Sequence, residues 1–133
     1  MKEIWKNYEK SSVPNDNYEV FEVTVNSEGT KIILNGVKNT VSIKFCTVDS
    51  LRVSDEGRRI KTYHEVEGIQ EYRENFYGNP IYQVENSEFA SWVVEESAGF
   101  CTDMQHYAIV TLNDIVDVLD AFPPEIIVEE IVS

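Results

Sequence analysis

The sequence predicts a single α+β domain, a mainly antiparallel β-sheet meander with one helix, at about residues 87–97, packed on one face. Apolar and polar residues alternate through Tyr18–Val25, Thr30–Leu34 and Val41–Phe45, which is typical of half-buried strands. Asn35-Gly36 lies between the second and third of these segments and favours a tight hairpin, because both residues accept positive φ. The length of 133 residues fits one domain.

The helix has the clearest pattern in the chain. Asn86 or Ser87 is expected to cap it, because a side-chain oxygen of either residue can accept a hydrogen bond from the first turn. Phe89, Trp92 and Val93 follow at i, i+3 and i+4 and form an apolar stripe. We therefore expect this stripe to face the sheet.

Two other segments are harder to assign. Residues 3–9 place Ile4, Trp5 and Tyr8 one turn apart, which predicts a short helix. Residues 115–120 fit a helical stripe or the returning strand of a hairpin that turns at Asn113-Asp114. Their short length and β-branched residues favour the strand.

Charge is unevenly distributed along the chain, whose formal net charge is −13. Residues 1–65 carry ten basic and ten acidic side chains, whereas residues 66–133 carry only Arg73 against fourteen acids. Direct binding to nucleic acid is disfavoured, because phosphates would meet like charge. The acidic half predicts either a surface that steers a basic protein partner or a solvated surface that maintains solubility.

The first of these interpretations defines a predicted contact surface. Its electric field is expected to come from six acids: Glu95, Glu96, Asp103, Asp114, Asp117 and Asp120. Two aromatic residues, Tyr82 and Tyr107, are expected to contact the partner. The three aspartates of residues 114–120 recur every third position and would share a face only on a helix. On a strand the middle one lies opposite the others, so we expect no metal site and no cofactor.

A small enzyme is the alternative, with a site around Cys101, Asp103 and His106. A cysteine nucleophile needs a nearby base, and an acid could orient that base. The chain contains no glycine-rich phosphate loop and no Gly-x-Ser-x-Gly sequence. Cys46 and Cys101 are expected to be reduced and mostly buried, although their number alone allows a disulfide.

The apolar segments are short, and a membrane-spanning helix needs about 20 apolar residues. The first residues are not followed by the apolar core of a signal peptide. We therefore expect a cytoplasmic protein with no membrane partner.

Several short stretches carry a resemblance to a bacterial family: Ser50-Leu51-Arg52-Val53-Ser54-Asp55-Glu56, Tyr82-Gln83-Val84-Glu85-Asn86-Ser87, Trp92, His106-Tyr107 and Asn113-Asp114. Over roughly residues 40–127 the chain resembles small acidic immunity-type proteins encoded beside polymorphic or contact-dependent toxins. The resemblance implies a cytoplasmic protein that binds and neutralises a toxin domain. It transfers no binding residues to this chain.

Together these observations predict a non-enzymatic protein that neutralises a basic protein partner through its acidic C-terminal half. Toxin nucleases fit this description, because a nuclease needs a basic groove for phosphate. The alternatives are the small enzyme described above and a structural or regulatory subunit of a bacterial assembly.

Overall fold

The computed structural model describes residues 2–8, 12–69 and 77–131. The strands and helices are β1 (Ile4–Asn7), β2 (Glu19–Asn26), β3 (Gly29–Asn35), β4 (Asn39–Phe45), β5 (Ser50–Asp55), α1 (Ile60–Glu65), β6 (Ile81–Glu85), α2 (Glu88–Glu96), β7 (Gln105–Val110), β8 (Asp114–Asp120) and β9 (Glu125–Glu130). A single 3₁₀ turn, Glu56–Arg58, precedes α1.

The strands form two antiparallel sheets. One has five strands in the order β1-β6-β7-β8-β5, and the other has four in the order β2-β3-β4-β9. The consecutive strands β2, β3 and β4 form the predicted meander, and β9 returns from the end of the chain to pair with β4.

The main core lies between the two sheets. Ile32 and Ile43 of the four-stranded sheet belong to the same buried cluster as Ile109 and Val116 of the five-stranded sheet. The ring of Tyr107 crosses the interface, with its centroid 5.6 Å from that of Phe45. Burying aliphatic side chains of this size contributes about 1.5–3 kcal/mol each, so this layer holds the sheets face to face.

The other face of the five-stranded sheet is also covered. Phe89 and Val93 of α2 pack against Leu119 of β8. Trp5, with Ile69 from the segment after α1, belongs to a second cluster on this sheet. The central strands β7 and β8 are therefore buried on both faces, and this burial governs the environment of their polar side chains.

The structure confirms the predicted α+β class and the helix packed on one face of a sheet. Residues 115–120 belong to a strand, β8, which settles the ambiguity of that segment. Residues 3–9 are not a helix where the structure describes them, because Ile4–Asn7 forms strand β1 and pairs with β6. Trp5 is buried there by pairing between strands rather than by helical packing.

Helix α2 begins as predicted, since the Ser87 side chain accepts a hydrogen bond from the Ala90 amide. Its buried residues are Phe89 and Val93, whereas Trp92 is 57% exposed. The expectation that Trp92 faces the sheet is therefore wrong. Adjacent helical residues are about 100° apart, and the contact with the sheet is too narrow to include both Trp92 and Val93.

Candidate functional site

Half of the predicted contact residues lie where a partner can reach them. Glu95 and Glu96, at the end of α2, and Asp103, in the loop before β7, are exposed. Asp114 is half-buried at the start of β8, at the opposite end of that strand from Asp120. The structure therefore brings the first three to one region of the chain and places Asp114 elsewhere.

The other four residues are inside the protein. Asp117 is 0% exposed, and Asp120, Tyr82 and Tyr107 are also buried. Burial raises the pKa of Tyr107 to about 12, with smaller contributions from Tyr8 and Asp120, so its hydroxyl stays protonated at neutral pH. The predicted contact surface needs correction here, because side chains buried between packed layers do not contact a partner.

The exposed side chains on and directly after α2 define what we call the α2 surface: Glu88, Trp92, Glu95, Glu96, Phe100 and Asp103. Two of them are aromatic, with Phe100 92% exposed and Trp92 57% exposed. Ala98 and Gly99 both have positive φ, and they turn the chain out of the helix just before Phe100. Neither Trp92 nor Phe100 was predicted from the sequence to belong to the contact surface.

Carboxylates surround Trp92 on the helix. Glu88 lies at i−4, Glu95 at i+3 and Glu96 at i+4, so all three are one turn from the indole. The ring of Phe89 stacks beneath it, with centroids 6.4 Å apart and planes inclined by 22°. The surface thus combines a supported, exposed aromatic ring with three negative charges.

Beneath α2 runs a buried chain of hydrogen bonds that fixes the helix to the sheet. Ser87 Oγ and His106 Nδ1 are 2.6 Å apart, and His106 Nε2 and Asp117 Oδ1 are 2.7 Å apart. These hydrogen bonds are all satisfied when the His106 Nε2–H donates to Asp117 and the Ser87 hydroxyl donates to His106 Nδ1. In this arrangement the Ser87 oxygen also accepts a hydrogen bond from the Ala90 amide. Helix α2 is therefore tied to both β7 and β8.

Two arginines complete the surroundings of Asp117. Arg59 Nη1 lies 2.6 Å from its Oδ2, and Arg52 contacts the same oxygen through Nε and Nη2, each at 3.0 Å. Burial raises the pKa of this carboxyl, but the His106 hydrogen bond and the charges of Arg59, His106 and Arg52 outweigh burial and lower it to about 2. Asp117 is thus ionised and paired in the folded protein.

The residue types Ser, His and Asp match those of a hydrolytic triad, but their surroundings favour a structural role. Two arginines already neutralise the negative charge of Asp117, so this carboxylate is less able to stabilise a protonated His106. The amides of the first helical turn are also engaged, since the Ala90 amide bonds to Ser87 Oγ and the Glu88 amide bonds to the Glu3 carboxylate at 2.7 Å. An oxyanion would find neither amide free.

We expect a serine-directed fluorophosphonate to leave Ser87 unlabelled at neutral pH, because this hydroxyl caps a helix and the Glu88 and Ala90 amides beside it are already bonded. Intact-protein mass spectrometry measures the labelling directly. Stoichiometric labelling that disappears in Ser87→Ala would contradict the structural role and support a hydrolase.

The structure does not assemble the predicted enzyme site. Both ring nitrogens of His106 are engaged, by Ser87 and Asp117, so neither serves as a base for Cys101. Cys101 is half-buried against the cluster of Phe89, and its amide bonds to Ser97 Oγ. Both cysteines are free thiols, and Cys46 is exposed rather than buried as expected.

Two further kinds of site are absent from the described ranges 2–8, 12–69 and 77–131. There, no group of three or more His, Cys, Asp or Glu side chains is arranged to hold a metal ion. Over the same ranges, no helix has the length and apolar character needed to cross a membrane.

Comparison with known proteins adds no relative to this description. No protein-family model, no curated protein and no solved structure matches the chain.

Proposed function

We propose that this chain is a non-enzymatic inhibitor that binds a basic protein partner through the α2 surface. The partner that fits best is the nuclease domain of a bacterial toxin encoded beside it, which would make the chain an immunity protein. The observation that carries the proposal is the pair of exposed aromatic residues, Trp92 and Phe100, among the carboxylates of Glu88, Glu95, Glu96 and Asp103.

Aromatic and acidic residues contribute differently to such a contact. Tryptophan and other aromatic residues supply most of the binding energy in many interfaces, because they bury a large area with few rotatable bonds. Carboxylates around them attract a basic partner from a distance and raise the association rate. An inhibitor benefits from fast association, because it must arrive before the toxin acts.

The interior supports this use of the surface. An aromatic side chain binds well only when its helix is held in place, because flexible surfaces lose entropy on binding. The Ser87–His106–Asp117 chain holds the start of α2, and Phe89 and Val93 hold its inner face. The α2 surface is therefore presented on a rigid support.

The direct test mixes the purified chain with the protein encoded by the neighbouring gene, at about 50 and 500 mM salt. We expect tight capture with loss of the partner's nuclease activity, and slower association at the higher salt because screening shortens the range of the charges. Absence of capture at both salt concentrations would overturn the proposal. Capture without loss of activity would overturn its inhibitory part.

A further inference from the structure

The α2 surface contains an aromatic stack that is open at its outer end. The guanidinium carbon of Arg52, whose side chain is 39% exposed, lies 4.4 Å from the centroid of the Phe89 ring. Phe89 also stacks against Trp92, and Trp92 is 57% exposed. Phe89 therefore contacts both an arginine and the exposed indole, and among the described residues it is the ring that stacks on Trp92.

The open end of this stack is negatively charged. Glu88, Glu95 and Glu96 lie one turn from Trp92, and all three are exposed. Asn86, Glu88, Ser91, Trp92 and Glu95 line a shallow depression of about 490 Å³ at this position. A cation entering this depression meets the Trp92 ring and two carboxylates, those of Glu88 and Glu95.

Guanidinium matches this arrangement better than ammonium. It is planar, so it stacks on an indole, and its N–H groups pair with a carboxylate in a fork while the stack is kept. It is also less strongly hydrated than ammonium and loses less on entering a partly enclosed site. The inner side of the same helix already shows such a stack, between Arg52 and Phe89.

We infer that the exposed face of Trp92 is an arginine-binding site, with Glu88, Glu95 and Glu96 as its counter-charges. The inference rests on the proposed function, because it specifies what the partner presents to the α2 surface. The partner inserts an arginine side chain that continues the stack of Arg52, Phe89 and Trp92. A lysine at the same position keeps the charge attraction but loses the stacking and the forked hydrogen bonds.

The test compares acetylated tri-arginine and tri-lysine peptides, which carry equal charge, by NMR titration of the full chain. The chain has two tryptophans, and the indole N–H of Trp5 is buried and bonds to Glu3, so it serves as an internal reference. We expect the Trp92 indole signal to shift while that of Trp5 stays. The dissociation constant should be about two- to fivefold lower for the arginine peptide.

Two variants separate stacking from charge. Trp92→Leu should lower the arginine preference, because it removes the stacking and leaves only the forked hydrogen bonds, while weak binding of both peptides persists. Phe122→Leu, which alters another exposed aromatic residue outside the α2 surface, should keep the preference. Circular dichroism confirms that each variant is folded.

The outcomes distinguish the two proposals. Equal affinity for both peptides, with a shift at Trp92, would overturn the arginine site and leave the acidic contact surface intact. No shift at Trp92 with either peptide would overturn the arginine site and also count against the α2 surface as the contact region. An arginine preference that is undiminished in Trp92→Leu would likewise overturn the inference, because another site would then be responsible.

Discussion

Replacing Asp117 with alanine is expected to lower the free energy of unfolding by about 3–5 kcal/mol, because it removes one partner from a buried charged network. The carboxylate is 0% exposed and pairs with Arg52, Arg59 and His106. Without it, Arg59 loses this carboxylate contact, and the His106 Nε2–H loses its acceptor. Urea denaturation at neutral pH measures the change.

Natural domains are stable by only about 5–15 kcal/mol, so Asp117→Ala could prevent folding altogether. Asp117→Asn provides a milder variant, because it keeps the shape and one acceptor oxygen while removing the charge. We expect it to cost less than the alanine variant. The control is Glu129→Ala, which removes an exposed acid on β9. It should change the free energy of unfolding by no more than about 0.5 kcal/mol.

The same network gives a defined pH dependence. The pKa of Asp117 is lowered from 3.8 to about 2 in the folded protein, because the His106 hydrogen bond and the nearby positive charges outweigh burial. A carboxyl with a depressed pKa contributes its full stability above its unfolded value and loses it as the pH falls through the folded value. The stability difference between wild type and Asp117→Asn should therefore shrink between about pH 4 and pH 2.

A loss below about 1 kcal/mol for Asp117→Ala, or a wild-type advantage over Asp117→Asn that does not change between those pH values, would contradict this account. Either result would mean that the two arginines and His106 find other partners when the carboxylate is absent. Helix α2 would then be held mainly by the contacts of Phe89 and Val93 with Leu119.

Much of this fold could be predicted because local patterns determined it. Alternation predicted β2, β3 and β4, and the cap at Ser87 predicted where α2 begins. The helix predicted for residues 3–9 was wrong, because the spacing of apolar residues in this segment is also compatible with a short strand whose buried residue is Trp5. Pairing with β6, 75 or more residues away, decided between them, and no local pattern contains that information.

The site was harder to predict than the fold. Charged residues are usually exposed, so Asp117 and Asp120 were assigned to the surface. The signal against that assignment was the nearly continuous apolar composition of β8, with Ile115, Val116 and Val118 on adjacent positions, which is typical of a strand covered on both faces. A buried aspartate also needs partners, and these came from Arg52, Arg59 and His106, on three other parts of the chain.

The second large effect is expected in binding rather than in stability. Neutralising three acids of the α2 surface, in the variant Glu95→Gln, Glu96→Gln and Asp103→Asn, should slow association with the partner about tenfold or more at about 50 mM salt. Exposed charges at the edge of a contact act mainly on the association rate, because they attract the partner before contact forms. Surface plasmon resonance measures the association and dissociation rates separately.

A matched variant controls for total charge. Glu125→Gln, Glu129→Gln and Glu130→Gln also removes three negative charges, from exposed residues of β9 in the four-stranded sheet. Helix α2 covers the other sheet, so these charges lie away from the α2 surface. We expect this variant to slow association by less than about threefold, because solution at this salt concentration screens distant charges.

The comparison of the two variants decides whether location or total charge matters. If the α2 surface is the contact, only the first variant should lose most of its salt dependence, since it lacks the charges that salt screens. Equal slowing in both variants would instead indicate that the overall charge of −13 attracts the partner without a preferred surface. Unchanged rates in both would place the contact elsewhere, and the acidic residues would then act in solubility, as the other interpretation of the sequence holds.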